Sequence, residues 1–170
     1  MILCTNVLVA IDFSPAADKA LRYGRELSRL FGAKLHALHV VSDLGGVGIL
    51  PPAYMSEMGQ AQQERLDSAR ARLQTLAEDD ADPVTTLAAI RVSSSPAAEI
   101  LDYVTDQHID LVVVGSHGHG PVAGLLLGSV ADKVVRNAPC PVLTVREDER
   151  DFVRPIEPPR AVQATPVYPG

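Results

Sequence analysis

Residues 110–146 read DLVVVGSHGHGPVAGLLLGSVADKVVRNAPCPVLTVR, and their reading decides the fold. Leu111 to Val114 form an unbroken aliphatic and β-branched run, the pattern of a strand buried on both faces of a parallel sheet. The run stops at Gly115, and Gly118, Gly120, Gly124 and Gly128 follow closely. Backbone of this kind reaches φ > 0 without penalty and lets a ligand approach with no Cβ in the way. Ser129-Val130-Ala131-Asp132 has the form of a capping box, with Ser129 opening a helix and an apolar stripe of Val130, Val134 and Val135 behind it. Strand, glycine loop and helix start, in that order, present unpaired N–H groups and a positive dipole end to a phosphate. Glycines after a strand also serve as plain turn residues, so composition alone leaves both readings open.

The preceding chain repeats the alternation of strand and helix. Val7 to Ile11 is a first buried strand that delivers Asp12 at its carboxyl end. Ser14 and Pro15 follow as N-cap and first helical residue, the order helix starts prefer. Ala17, Ala20, Leu21, Gly24, Leu27 and Phe31 recur at helical spacing as far as Gly32, placed as a C-terminal stop. Asp12 alone reads as a cap or turn residue. Lys34 to Val41 forms a second strand carrying His36 and His39, each read as a structural histidine satisfied by its surroundings. Residues 42–53 (SDLGGVGILPPA) predict a loop that leaves the same edge of the sheet as Asp12 and is in position to act as a lid.

Tyr54 to about Asp80 predicts a long amphipathic helix with Leu66, Ala69, Leu73, Leu76 and Ala77 on its buried face. Val84 to Val92 makes a third strand. Ser93-Ser94-Ser95-Pro96 caps a helix whose stripe is Ala97, Ile100, Leu101, Val104 and His108. Asp110 opens the fourth strand, and Val142 to Arg146 is the fifth. From Glu147 the composition changes: five of the 24 remaining residues are proline, which predicts a disordered or extended tail. Its end, Ala161 to Tyr168, keeps enough apolar character to pack on a partner subunit. The expected organisation is one domain over 1–146 and a Pro-rich flexible tail over 147–170. Alternating strands and helices with right-handed crossovers give an α/β doubly wound parallel sheet of five strands, with helices on both faces.

At 170 residues the chain is long enough for one sizeable core. Aromatics at 4% and the absence of Trp assign that core to Val, Leu, Ala and Ile. A net charge of −6 with three lysines argues against a nucleic-acid or anionic-membrane partner. No apolar run reaches the roughly 18 residues of a membrane span, and the N-terminus has no signal-peptide pattern, so the expected location is cytoplasmic. Cys4 and Cys140 are isolated; they read as buried reduced thiols, with redox or metal work as the alternative.

The loop lacks the GxxxxGK[ST] pattern of P-loop hydrolases and has no lysine. No base or arginine stands beside the glycines, which points to slow turnover at most. His117 and His119 are spaced as a metal pair without a third ligand nearby in sequence; the other reading is a loop histidine facing phosphate or solvent. Ser116 and Ser129 have no recognisable His/Asp partner order for acyl transfer.

Gly115-x-x-Gly118, nine residues, then Gly128-Ser129 resembles the nucleotide loop of the universal stress protein family, and Ala138-Pro-Cys-Pro-Val-Leu-Thr-Val145 resembles that family's last strand. The resemblance covers about residues 5–146. It implies strand order 3-2-1-4-5, of the adenine-nucleotide α-hydrolase type, with the switch point between strands one and four. It implies that Asp12, in an Asp-Phe-Ser setting, holds the nucleotide, that the Val40 backbone meets adenine, and that Gly115, Gly118, Gly128 and Ser129 meet phosphate, with His117 in the same loop. The family usually carries a glycine near Ser94, and its absence leaves the shape of that turn open. The implied function is an ATP-binding regulatory stress-response protein, with Mg²⁺ held by the phosphates, a homodimer through the fifth strand and a protein partner unknown. The alternatives are a nucleotide-free interaction module of the same fold and a slow ATPase or phosphotransferase.

Overall fold

The computed structural model describes residues 3–43, 52–77, 84–116, 127–148 and 150. Five strands, β1 (Asn6–Ala10), β2 (Lys34–Ser42), β3 (Thr86–Ser93), β4 (Leu111–Gly115) and β5 (Val142–Val145), form one sheet in the order β3-β2-β1-β4-β5. All four pairings are parallel. The helices are α1 (Pro15–Phe31), α2 (Pro52–Ala77), α3 (Pro96–Asp106) and α4 (Ser129–Asn137). Among the described residues, no helix is long and apolar enough to cross a membrane.

Strand alternation divides the core. Val7, Val9 and Val113 point to one face, where Ala20, Leu21 and Tyr23 of α1 and Leu73 of α2 cover them. Leu8, Leu38 and Val112 point to the other, covered by Ala97, Ile100, Tyr103 and Val104 of α3 and Val134 of α4. Val7, Leu8, Val9, Val112 and Val113 are all fully buried, as the uninterrupted apolar runs require. At the amino end of the sheet Asp110 ties β1 to β4: its Oδ2 accepts from Thr5 N (2.7 Å), Thr5 Oγ1 (2.9 Å) and Asn6 N (3.0 Å). Those bonds, led by the Thr5 amide, hold the Asp110 carboxyl below its ordinary pKa.

The helix boundaries confirm some expectations and correct others. Ser14 caps α1, its Oγ accepting from Ala17 N at 3.2 Å, and Gly32 closes the helix in the left-handed conformation. Phe31, expected on the apolar stripe, is 40% exposed, and Tyr23 fills the core instead. Ser129 is not the N-cap of α4. Gly128 takes that position in extended conformation, without a side-chain cap, and Ser129 is the first helical residue. Rotating the stripe accordingly leaves Val135 exposed and buries Ala131 with Val134. Ser95 stands at the N-cap of α3 but makes no cap; its own N–H donates to Ser93 Oγ at 3.1 Å. His108 lies past the end of α3 with φ 49 and is exposed, while Tyr103 takes the buried position. Cys4 is buried, Cys140 half-buried, and both are free thiols.

Two features of the packing are sensitive to substitution. Gly24 lets α1 lie directly on β1, since a Cβ there would sit 2.3 Å from Val9 Cγ2. Gly24→Ala is therefore expected to lower stability by about 1–3 kcal/mol from overpacking, despite the better helix propensity of alanine. Chemical denaturation checks this, and Val9→Ala in the same chain should relieve part of the loss.

His36 is buried on β2, with Nδ1 3.0 Å from Tyr103 Oη and Nε2 3.4 Å from Asn6 Oδ1. Burial, reinforced by the charge of Lys34, lowers its pKa. The native state then binds fewer protons than the unfolded chain, so this contribution to stability is complete above the unfolded value near 6.5 and is lost as pH falls toward the folded value. Thermal melts between about pH 7.5 and pH 5 are expected to fall less steeply for His36→Gln, which keeps a polar partner for Tyr103 but takes up no proton.

Candidate functional site

At the carboxyl end of β1, the Ile11 N–H still donates to Leu38 O (2.8 Å), which extends the pairing with β2 by one residue. Asp12 follows and is exposed, and Phe13 has φ 62, a left-handed conformation that costs a non-glycine residue about 1 kcal/mol or more. The Asp12 carboxylate offsets that cost: Oδ1 accepts from Ser14 N (3.0 Å) and Ser14 Oγ (2.6 Å). Asp12 thus fixes the residue that caps α1, and the turn fixes Asp12.

At the end of β4, Gly115 packs on the first turn of α1. A Cβ there would meet Ala16 C, Ala16 Cβ and Ala17 N at 3.0 Å each. The small residue is therefore required by helix–strand packing as well as by any approach of a ligand. Ser116 is buried; its N–H donates to Val145 O (2.7 Å) and its carbonyl accepts from Gly128 N (2.6 Å). This second bond brings residue 128 back beside residue 116, so α4 starts where β4 ends. Gly128 brings no side chain to cap α4, so among the described residues no side chain occupies the positive dipole end of its first turn.

Between these two strand ends lies a cavity of about 300 Å³, whose walls among the described residues include Asp12, Val40, Gly115, Pro96, Ile100 and Val130. Its lining is largely apolar with a single carboxylate, the composition of a pocket for a flat, partly polar ligand. His39 also borders it, and its Nδ1 lies 2.7 Å from Ile11 O, which orients the ring. Of the residues singled out in the sequence, Asp12, Val40 and Gly115 share this cavity. Gly128 is joined to its rim through Ser116, and Ser129 is exposed at the start of α4. His117 and Gly118 lie outside the described residues, as do His119, Gly120, Gly124, the glycine-rich loop over 44–51 and the tail over 151–170.

Sequence reasoning missed Pro96 and Ile100 as cavity walls, because it read them only as a helix start and a core position. It also missed Phe13 as the strained residue of the turn. A bulky residue between Asp and Ser-Pro carries no sequence mark of positive φ.

With this geometry in hand, comparison with known proteins is informative. The sequence model of the universal stress protein family matches residues 4–146. Universal stress protein YxiE of Bacillus subtilis is 33% identical over 149 residues, covering 83% of this chain and 98% of that protein. The solved structure of MJ0577 from Methanocaldococcus jannaschii is similar with a TM-score of 0.75 at 22% identity, covering 88% of this chain and 100% of that one. A universal stress protein from Archaeoglobus fulgidus, solved in complex with dAMP, is similar with a TM-score of 0.57 at 22% identity, covering 85% and 99% of the two chains. The two structures speak for the shared fold, and the family match with the Bacillus relative speaks for descent. The chain belongs to the universal stress protein family.

Proposed function

We propose that this chain binds an adenine nucleotide, ATP, in the crevice between the ends of β1 and β4, and acts as a nucleotide-responsive regulatory homodimer. The observation that carries this reading is that Asp12, Val40 and Gly115 line one cavity although Asp12 and Gly115 are about a hundred residues apart in sequence. Open parallel sheets bind ligands at such a switch point, outside the carboxyl ends of the strands. The dAMP held by the Archaeoglobus relative supports an adenine nucleotide as the ligand class.

In this reading the apolar walls from Val40, Ile100 and Val130 receive the base, and the Val40 backbone meets its edge. Asp12 accepts hydrogen bonds from the ribose or base, and its tether to Ser14 sets the carboxylate in place before the ligand arrives. Gly115, His117, Gly118, Gly128 and Ser129 surround the phosphates, where the start of α4 contributes roughly 0.3–1 kcal/mol of dipole attraction per anionic group. Among the described residues, no group of three or more His, Cys, Asp or Glu side chains could hold a metal ion. A Mg²⁺ ion would therefore ride on the phosphates and water, which is its usual habit. Among the described residues β5 is an edge strand of the sheet, and pairing with a second copy there would satisfy its outward backbone groups.

Titration of the purified protein with ATP and Mg²⁺ tests the site. Saturable binding is expected, with Asp12→Ala weakening it at least about tenfold, equivalent to roughly 1.4 kcal/mol. Asp12→Asn keeps an acceptor for Ser14, so it separates loss of the turn from loss of the charge. Unchanged affinity in Asp12→Ala would mean that the nucleotide, if bound at all, binds elsewhere.

A further inference from the structure

The end of β2 borders a cavity on each face of the sheet. The one described above opens toward α3 and α4. A second, of about 460 Å³, lies on the α1/α2 side, and its walls among the described residues include Phe13, His39, Glu64, Arg65, Ser68 and Arg72. Arg65, Ser68 and Arg72 follow at spacings of three and four, and Glu64 lies four before Ser68, so Ser68 stands between neighbours on the helix surface. The Arg72 guanidinium carbon stands 3.9 Å from the centroid of the Phe13 ring, and the His39 ring is centred 4.6 Å from that of Phe13, tilted by 44°. Phe13 lines this second cavity only, whereas His39 borders both.

Arg70, on a neighbouring face of α2, sits 3.0 Å from Asp67, and Arg136 on α4 sits 2.9 Å from Asp132. Arg65 and Arg72 make no ion pair among the described residues, although they flank Ser68 at the mouth of the cavity. Both arginines line the same cavity, and a planar guanidinium group matches the forked oxygens of a phosphate. Glu64 on the same rim disfavours a bare polyanion and suits a ligand that brings hydroxyl donors as well. The faces of Phe13 and Ala61 offer an apolar surface for a carbon skeleton.

We propose that this cavity is a second small-molecule site, taking a phosphorylated polyol whose phosphate is bound by Arg65 and Arg72 and whose hydroxyl groups meet Glu64 and Ser68. It does not depend on the nucleotide reading, because neither arginine borders the first cavity. It does share His39, Val40 and Ser42 with that cavity, so its occupant would lie wall to wall with a nucleotide.

Calorimetric titration with glucose 6-phosphate is the test. The parent protein is expected to bind it saturably, and Arg65→Gln with Arg72→Gln is expected to lose at least about tenfold in affinity. Both side chains are exposed, so the double variant should keep the fold, with its melting temperature lowered only by loss of the Arg72–Phe13 contact. Affinity for glucose 6-phosphate that survives in the double variant, or no saturable binding to the parent, would overturn the proposal.

Discussion

The pairing of β1 with β4 is the constraint on which the rest of this molecule depends. Val7, Leu8, Val9 and Ala10 stand opposite Leu111, Val112, Val113 and Val114, and most of these side chains are fully buried between two helical layers. At roughly 1.5–3 kcal/mol for each large apolar side chain removed from water, a one-residue slip that sent them to the wrong faces would cost far more than the fold can spare. Asp110 fixes the same register electrostatically at the amino end, through three hydrogen bonds to Thr5 and Asn6. At the carboxyl end, that register sets Asp12 and Gly115 on the same cavity.

Residues at the cavity carry the fold as well as any ligand. Asp12 holds Ser14, which caps α1; Gly115 admits the first turn of α1; Ser116 links β5 to the start of α4. The cavity itself is lined by Asp12, Gly115 and Val130, so it borders the starts of α1 and α4. Lys19 extends this connection: it is buried on α1, and its Nζ donates to the Glu147 carbonyl at 3.3 Å, just after β5.

The five strands were legible because buried parallel strands are written as plain runs such as Leu111–Val114, and their order was implied by the family resemblance. What misled was finer than a strand. Capping-box reasoning assigned Ser129 the N-cap because its side chain can cap, yet Gly128 takes the N-cap one residue earlier and brings no side chain to it. Periodicity carried the α3 stripe to His108, since spacing alone cannot see that the helix stops at Asp106 or that Tyr103 gains a buried partner in His36. The crevice between the ends of β1 and β4 was expected from the family resemblance, whereas the cavity beside α2 was not: it borders Phe13 and His39, and residues 26 apart in sequence carry no sign of ring-to-ring contact.

Backbone amide spectra of the isotopically labelled protein, recorded during titration with ATP and Mg²⁺, locate the nucleotide relative to the ends of β1 and β4. The largest shifts are expected on Asp12, Val40, Gly115 and the first turn of α4, while Thr5, Asn6 and Asp110 at the opposite end of the same strands stay still. Shifts concentrated at that opposite end, or none at saturating nucleotide, would contradict that placement.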